Sequence, residues 1–234
     1  MVKLSVNINK IATLRNARGG NTPNLASLTD SIINFGADGI TIHPRPDERH
    51  IKRDDVISIK KIINNRVEFN IEGYPSSDFL DMVLRIKPTQ VTLVPDKPNV
   101  LTSLEGWDTI KHKQFLVSIV NELKACGIRV AIFVNPDKKM VKGAADIFAD
   151  RIELFTGLYA NKLLTIESYV KCSQYAYNLG LEVNAGHDLD LNNLTFFVNN
   201  MIFLKEVSIG HALISESLLL GLQETIKRYK KILK

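Results

Sequence analysis

The feature that most constrains the fold is a repeat of short apolar runs separated by amphipathic stretches. The runs are rich in Val, Ile, Leu and Phe, a loop with Gly, Pro or Asn follows each, and the pattern recurs roughly every 30 residues. Short apolar runs bounded by turn residues predict strands, whereas apolar residues three and four positions apart predict helices. We predict eight strands, at residues 4–7, 39–42, 68–71, 90–94, 129–133, 151–155, 182–184 and 207–209.

The order of these elements predicts the fold class. Alternating strands and helices favour a parallel sheet covered by helices on both faces. Eight repeats favour closure into an α/β (βα)8 TIM barrel over an open doubly wound sheet, and barrels typically have roughly 250 residues. No GxGxxG follows the first strand, which disfavours dinucleotide binding. We therefore expect residues 1–234 to form one barrel domain.

Two loops are longer than usual for this repeat, NKIATLRNARGGNTPN after the first strand and PDKPNVLTSLEGWD after the fourth. Both follow the carboxyl ends of strands, where barrel enzymes carry their active sites. Their Gly, Pro and Asn content suits lids more than packing. We predict that both loops cover a site.

Composition bears on location and partners. No run of 18 apolar residues exists, and the amino terminus turns polar too early for a signal peptide, so we expect a cytoplasmic protein without a membrane partner. Cys126 and Cys172 lack CxxC spacing, which predicts buried free thiols in a reducing compartment.

The net charge of +5 could suggest nucleic acid, but the dense basic run lies only in the tail ETIKRYKKILK. Apolar residues at helical spacing predict that this tail is a packed helix with a solvated basic face. We expect no nucleic-acid partner, and a positive balance suits small anionic substrates instead.

The densest polar cluster is IHPRPDERH after the second strand, with His43, Arg45, Arg49 and His50. Arginine donates bidentately to phosphate, and histidine changes protonation near neutrality, so the cluster suits a phosphate or an enediolate-like oxyanion. A polar surface loop is the alternative. A metal site at the two histidines is disfavoured because the arginines would oppose a cation.

Two carboxylates follow apolar strand residues. Glu72 and Glu153 should lie at the rim of the barrel, where partial desolvation would raise the pKa of each toward use as a general base. Either could instead be a structural ion-pair partner.

Matching Gly-His pairs occur in NAGHD and SIGHALISESL, after the seventh and eighth strands. Barrel enzymes commonly bind phosphate there, with loop amides and a helix N-terminus. Gly186 and Gly210 would admit close amides, and His187 and His211 would add donors. The alternative is that these histidines are satisfied core residues.

Cations after the first and fourth predicted strands offer two further possibilities. Arg15 and Arg18 could close over a second anion, or be ordinary surface charges. A covalent lysine intermediate would need a desolvated lysine near a strand end. Lys10 and Lys97 approach that position, but both adjoin polar loops, so this chemistry is not favoured.

The assembled residues resemble the pyridoxine 5'-phosphate synthases of the deoxyxylulose-dependent route to vitamin B6. The resemblance runs in order through VNINKIATLRNARG, GADGITIHPRPDERHI, NIEG, LVPDK, IELFTGLYA, VNAGH and IGHALI, and so spans nearly the whole chain. It implies a (βα)8 barrel, usually a homo-octamer. The implied reaction condenses 3-amino-2-oxopropyl phosphate with 1-deoxy-D-xylulose 5-phosphate to pyridoxine 5'-phosphate, phosphate and water, with no metal or organic cofactor.

The resemblance also implies residue roles. His43 and Glu72 correspond to proton acceptors, His187 to the proton donor, and Glu153 to the residue that stabilises the transition state. Arg45, His50 and Thr102 would hold the deoxyxylulose phosphate. Asn7, Arg18, Gly210 and His211 would hold the amino ketone phosphate.

Three departures from the family pattern accompany the resemblance. Many members have Asp-His where this chain has Asn9-Lys10, a place associated with the deoxyxylulose phosphate. A Gly commonly follows the proton-donor His, whereas this chain has Asp188, which adds negative charge near a proposed phosphate. The NIEG motif aligns after a short insertion, which assigns the catalytic carboxylate to Glu72 rather than Glu68.

Two other functions fit the residues without the resemblance. One is an isomerase or epimerase of sugar phosphates that uses Glu72 and a histidine and needs only one phosphate site. The other is a phosphate-binding relative without catalysis, altered at Asn9, Lys10 and Asp188.

Overall fold

A computed structural model describes residues 1–96 and 103–234, and its strands form one closed barrel. Each strand pairs in parallel with the next, and the eighth pairs with the first. The predicted barrel is therefore confirmed. The strands are β1 Lys3–Asn7, β2 Gly39–Ile42, β3 Glu68–Gly73, β4 Gln90–Leu93, β5 Arg129–Val134, β6 Arg151–Phe155, β7 Glu182–Gly186 and β8 Leu204–Ile209.

Helices follow the strands and cover the outside of the barrel. The N-cap side chain of Ser76, for example, accepts a hydrogen bond from the Phe79 amide and starts a helix that buries Phe79 and Val83. In the described part of the chain the helices are α1 Asn9–Asn16, α2 Leu25–Asn34, α3 Arg53–Ile63, α4 Ser77–Ile86, α5 Lys113–Ala125, α6 Lys138–Asp146, α7 Gly157–Ala160, α8 Ile166–Asn178, α9 Leu194–Asn200, α10 His211–Leu220 and α11 Leu222–Ile232.

The apolar core lies between the sheet and the helices, while the inside of the barrel is polar. In β1, Leu4 and Val6 belong to the apolar core, whereas Ser5 hydrogen-bonds to Thr41 of β2 at 2.7 Å inside the barrel. Successive strand residues point to opposite faces of the sheet. One face of each strand is buried against the helices, and the other is buried inside the barrel. The polar interior continues across β3 and β4, where Thr92 donates to Asn70 at 3.0 Å.

Ion pairs close the amino end of the barrel. Glu68 at the start of β3 pairs with Lys3 and Arg129, and Arg151 pairs with Glu182 at 2.5 Å. These charges lie at the opposite end of β3 from Glu72. The two glutamates of β3 therefore have different surroundings.

The first loop begins as α1, which buries Ile11 and Ala12 against the core. Residues of α1, Lys10 among them, line the cavity at the carboxyl ends of the strands, so this part of the loop does lie over a site as expected. Arg15 does not close over an anion, since its guanidinium is buried and donates to both carboxylate oxygens of Asp55, at 2.6 and 2.8 Å. The loop that follows β4 lies partly outside the described residues, so its role as a lid stays a prediction.

The cysteines and the tail can also be compared with the expectations. Cys172 is a buried free thiol as predicted, but Cys126 is exposed because it follows the last turn of α5 on the outer surface. The tail forms α11, which buries Ile226 and Tyr229, as predicted. In residues 1–96 and 103–234, the helices are all too short or too polar to cross a membrane.

Candidate active site

A cavity of about 450 Å³ opens at the carboxyl ends of the strands. The four predicted catalytic residues all line it, and they come from four different strand ends. Most predicted binding residues line it as well. The predicted residues in its wall are Asn7, Asn9, Lys10, His43, Arg45, His50, Glu72, Glu153, His187, Asp188, Gly210 and His211.

Two predicted binding residues are not part of this wall. Arg18 is exposed, beyond the end of α1, and is absent from the residues that line the cavity. Thr102 lies outside the described residues, as does Lys97. The roles that the resemblance implies for Arg18 and Thr102 stay predictions.

His43 and Glu72 face each other across the ends of β2 and β3. The pairing of Ile42 with Ile71 brings the next residues side by side, and His43 Nδ1 lies 3.8 Å from Glu72 Oε2. Burial lowers the pKa of His43 well below its usual range, and the positive charges of Arg45 and of other neighbours add to this. Burial raises the pKa of Glu72 well above its usual range, and Glu153 adds to it. Both shifts favour the neutral form of each group.

His50 is held by the backbone beside Arg45. Its Nδ1 accepts a hydrogen bond from the Ile51 amide at 2.9 Å, which leaves the proton of the neutral ring on Nε2. Burial and the charge of Arg45 lower the pKa of His50 to about 4. A neutral His50 can still donate its Nε2 proton to an anion. Arg15 supports this loop by donating to the His50 carbonyl at 3.2 Å.

Glu153 belongs to a row of polar side chains inside the barrel. It is in register with Asn184 of β7, which is in register with Glu206 of β8, and Asn184 donates to Glu206 at 2.9 Å. Burial, with the charge of Glu206, raises the pKa of Glu153 to about 8, and burial raises the pKa of Glu206 to about 7. One carboxyl oxygen of each glutamate is buried without a hydrogen-bond partner among the described residues. Such an environment favours the protonated carboxyl.

Gly186 makes room for the Glu153 carboxyl. A β-carbon at position 186 would lie 2.4 Å from Glu153 Oε1, which is closer than side chains pack. The glycine therefore allows the Glu153 carboxyl to approach β7 closely. The sequence had suggested only that it would let a backbone amide approach a ligand.

His187 sits on a strained turn at the end of β7. Its φ is +87° and that of Asp188 is +57°, values that residues with a side chain rarely adopt. The Thr156 hydroxyl lies 2.6 Å from the Gly186 carbonyl oxygen and within hydrogen-bond distance of that of His187. Burial lowers the pKa of His187. The turn aims an imidazole into the cavity, packed against Phe133 and Phe155.

Asn9 joins the first two strands. The side-chain oxygen of Asn9 accepts a hydrogen bond from the backbone amide of His43 at 3.0 Å, and the backbone amide of Asn9 donates to Asn7 Oδ1 at 3.0 Å. Asn9 thus fixes the backbone that carries His43. Lys10, next to it, is exposed at the wall of the cavity, where its charge contributes to the low pKa of His50.

The last strand ends at a helix N-terminus. Gly210 is the N-cap of α10, whose first residue is His211. A β-carbon on Gly210 would lie 3.0 Å from the Asn7 side chain, so glycine allows β8 and β1 to approach here. The unpaired amides of a helix start, together with His211, suit an anion.

The amino-acid sequence was compared with known proteins. The profile of the family described as "Pyridoxal phosphate biosynthesis protein PdxJ" matches residues 4–234. The chain belongs to this family. Relatives named pyridoxine 5'-phosphate synthase include those of Christiangramia forsetii, 55% identical, Cytophaga hutchinsonii, 54% identical, and Bacteroides fragilis, 53% identical; in each case the match covers 100% of both chains.

Solved structures of other enzymes share the fold of this PdxJ-family chain. Tryptophan synthase from M. tuberculosis is similar with a TM-score of 0.68 at 9% identity, over 100% of this chain and 94% of the other. Phosphoribosyl anthranilate isomerase from Thermotoga maritima is similar with a TM-score of 0.65 at 14% identity, over 100% and 98%. These likenesses support the barrel fold alone.

The structure of the PdxJ-family chain also shows polar residues that the sequence interpretation missed. Asp96 is buried and accepts from Arg45 at 2.7 Å and from Ser103 at 2.6 Å. A signal existed, because Asp96 lies three positions after the end of β4, in the motif VPDK. Thr156 follows β6 directly. Ser208 lines the cavity but lies within an apolar run and gave no signal.

A second cavity of about 640 Å³ adjoins the first. Both are lined by His43, Arg45 and Arg49, and the second extends toward the start of α4.

Within residues 1–96 and 103–234, no three His, Cys, Asp or Glu side chains are arranged to hold a metal ion. His43 and His50 lie with ring centroids 6.3 Å apart beside Arg45.

Proposed function

We propose that this chain is a pyridoxine 5'-phosphate synthase that condenses 3-amino-2-oxopropyl phosphate with 1-deoxy-D-xylulose 5-phosphate. Products are pyridoxine 5'-phosphate, inorganic phosphate and water. Support comes from membership in the PdxJ family and from full-length relatives of that name. The observation that carries the proposal is that one cavity gathers two buried carboxyls, two buried imidazoles and donors for anions.

His43, Glu72 and His187 move protons in this proposal. The reaction needs an imine to form, a carbon to lose a proton, phosphate to leave, the ring to close and water to leave. A neutral His43 is the form that accepts a proton. Glu72 accepts one only after it has lost its own, and a cationic iminium beside it would lower its pKa into that range.

Glu153 stabilises charge that develops in the transition state. Its pKa of about 8 places both protonation states within reach at neutral pH. A carboxyl of this kind donates a hydrogen bond to a developing oxyanion or faces a developing cation, according to its protonation.

Anion donors lie on two sides of the cavity. Arg45 and His50, on the loop after β2, hold the deoxyxylulose phosphate, with Lys10 and Asn9 beside them and Thr102 as a further ligand by resemblance. Gly210 and His211, at the start of α10, hold the amino ketone phosphate together with Asn7, and by resemblance Arg18. Asp188 adds a negative charge near the second anion, which the α10 amides offset.

Cofactors, location, partners and oligomeric state complete the proposed function. We propose that proton transfer suffices without a metal or organic cofactor, that residues 1–234 act as one cytoplasmic domain, and that its partners are small phosphates rather than nucleic acid or membrane. We also propose a homo-oligomer, an octamer by family resemblance. Exposed Leu218 and Leu219 on α10, with exposed Leu14 on the neighbouring α1, support an interface between copies.

Binding titrations distinguish this function from an isomerase. Each substrate is titrated alone by calorimetry, with wild type, Arg45→Ala and His211→Ala. We expect Arg45→Ala to weaken only the deoxyxylulose phosphate and His211→Ala only the amino ketone phosphate. One shared site, weakened for both ligands by the same variant, would favour an isomerase or epimerase. Binding of both ligands without formation of pyridoxine 5'-phosphate would favour a non-catalytic relative.

A further inference from the structure

Asp96 lies behind Arg45 as seen from the catalytic cavity. Arg45 lines both cavities, whereas Asp96 lines only the neighbouring one. Asp96 Oδ2 accepts from Arg45 Nη2 at 2.7 Å, and both side chains are buried. The ion pair therefore occupies one edge of the guanidinium and directs the rest of it toward the catalytic cavity.

Ser103 holds Asp96 in turn. The Ser103 hydroxyl donates to the same Asp96 oxygen at 2.6 Å, and Ser103 is buried and lines the catalytic cavity. One oxygen of Asp96 thus links Arg45, in the loop after β2, to Ser103. A buried carboxylate with two short hydrogen bonds has a fixed orientation, and so does the arginine that it binds.

We infer that Asp96 is a positioning residue that holds Arg45 in the orientation needed to bind the phosphate of the sugar substrate, with Ser103 completing the contact. This inference rests on the anion-binding role proposed above for Arg45. Asp96 does not itself line the catalytic cavity, so its effect on that phosphate passes through Arg45.

The charge of Asp96 gives the inference a second readout. Asp96 raises the pKa of Glu72, beyond the effect of burial, and it counteracts the lowering of the His187 pKa by burial. The other charges that act on the pKa of Glu72 are those of Glu153, Arg45 and Glu206, and those that act on the pKa of His187 are those of Asp188 and Arg45. Replacing Asp96 by a neutral residue should therefore lower the pKa of both Glu72 and His187.

The test compares Asp96→Asn, Asp96→Ala and Ser103→Ala with wild type in steady-state kinetics for each substrate. The matched control is Asp78→Asn, which removes the same charge from an exposed pair with Arg53. We expect Asp96→Asn to raise KM for the deoxyxylulose phosphate about tenfold, with KM for the amino ketone phosphate changed less than about twofold. Asp96→Ala should have a larger effect, Ser103→Ala a smaller one in the same direction, and Asp78→Asn none.

The pH profile and Tm complete the test. The acid limb of kcat should move to lower pH in Asp96→Asn and stay in place in Asp78→Asn. Equal losses for both substrates with an unmoved pH profile would reduce Asp96 to a structural residue and overturn the inference.

Arg45→Ala separates this inference from the proposed function. If it raises KM for the sugar phosphate and Asp96→Asn does not, Asp96 is not a positioning residue and the proposed function stands. If Arg45→Ala also leaves that KM unchanged, the role of Arg45 is itself wrong. Should both Asp96 variants fail to fold, Ser103→Ala decides, because it keeps the ion pair, and an unchanged KM there would overturn the inference.

Discussion

His43 Nδ1 lies 3.8 Å from Glu72 Oε2, at the carboxyl ends of β2 and β3. Burial lowers the pKa of His43 and raises that of Glu72, so burial favours the neutral form of each group. A neutral imidazole beside a neutral carboxyl provides one group ready to accept a proton and another ready to give one. The pair can therefore serve a reaction with several proton transfers.

Glu72 should be essential for turnover while its neighbour on the same strand is not. Glu72→Gln keeps the size of the side chain but removes the proton transfer, so kcat should fall by about 10² to 10⁴. The variant should fold, because it needs no charge at this buried position. Steady-state kinetics and thermal unfolding measure the two effects.

The matched control is Glu68→Gln, four positions earlier on β3 at the ion-paired amino end of the barrel. It should lower stability and leave kcat within about threefold of wild type, since positioned acid–base groups alone carry the larger factors. If Glu68→Gln lost as much kcat as Glu72→Gln, the assignment of the catalytic carboxyl to Glu72 would be wrong.

His43→Ala should abolish turnover without unfolding the barrel. The backbone amide of His43 donates a hydrogen bond to the side-chain oxygen of Asn9, and this contact does not depend on the imidazole. Circular dichroism should therefore match wild type while product formation is lost. Near-wild-type activity in this variant would remove His43 from the mechanism.

Gly186→Ala should displace Glu153. The added methyl would lie 2.4 Å from Glu153 Oε1, so the carboxyl must move or β7 must shift. We expect kcat to fall at least about tenfold, as misplaced groups commonly cause. Gly20→Ala, where an added methyl meets nothing within 4 Å, is the control. An active Gly186→Ala enzyme with unchanged KM values would show that the position of Glu153 is not critical.

The hydroxyl of Thr156 should be required to hold the strained His187 turn. Thr156→Val removes a buried hydrogen bond, which should cost about 1–3 kcal/mol of unfolding free energy and reduce kcat. Thr156→Ser keeps the hydroxyl and should restore kcat. Denaturant unfolding and kinetics of the two variants measure this, and equal kcat values for Val and Ser would contradict a role for the hydroxyl.

Glu206 should make stability fall as pH rises. Its pKa is about 7 in the folded chain against an ordinary value of 4.5, so between these values the folded state binds more protons than the unfolded state. The contribution of a protonated Glu206 is thus complete below pH 4.5 and lost as pH passes 7. Between pH 5 and pH 8, the wild type should lose on the order of 1–3 kcal/mol of unfolding free energy through Glu206. Glu206→Gln should not show this loss. Parallel stability curves for the two proteins would count against a raised pKa.

The barrel and most of its site follow from sequence patterns, for a physical reason. Each strand needs a short apolar run, and the carboxyl end of each run in a parallel barrel faces the same side, so residues such as His43, Glu72 and His187 can be assigned to one site before their contacts are known. The family resemblance added roles, and among the residues concerned that the structure describes, all line the cavity except Arg18.

Other features depend on pairing between distant residues, which a run of letters does not specify. The partner of Arg15 is Asp55, 40 positions away, and the partner of Arg45 is Asp96, 51 positions away. Position relative to a strand end did not distinguish a structural arginine from a ligand-binding one. The polar barrel interior was visible as alternation in runs such as LSVN, but hydrophobicity averaged over a run hides it.

Under the proposed function, this chain condenses two phosphorylated substrates by acid–base chemistry at Glu72. The most direct measurement mixes the purified protein with both substrates, without added metal, and follows pyridoxine 5'-phosphate and inorganic phosphate in the same reaction. Both products should appear one to one with wild type and with Glu68→Gln, and both should form about 10² to 10⁴ times more slowly with Glu72→Gln. Phosphate without pyridoxine 5'-phosphate, or product formed by Glu72→Gln at the wild-type rate, would contradict this mechanism.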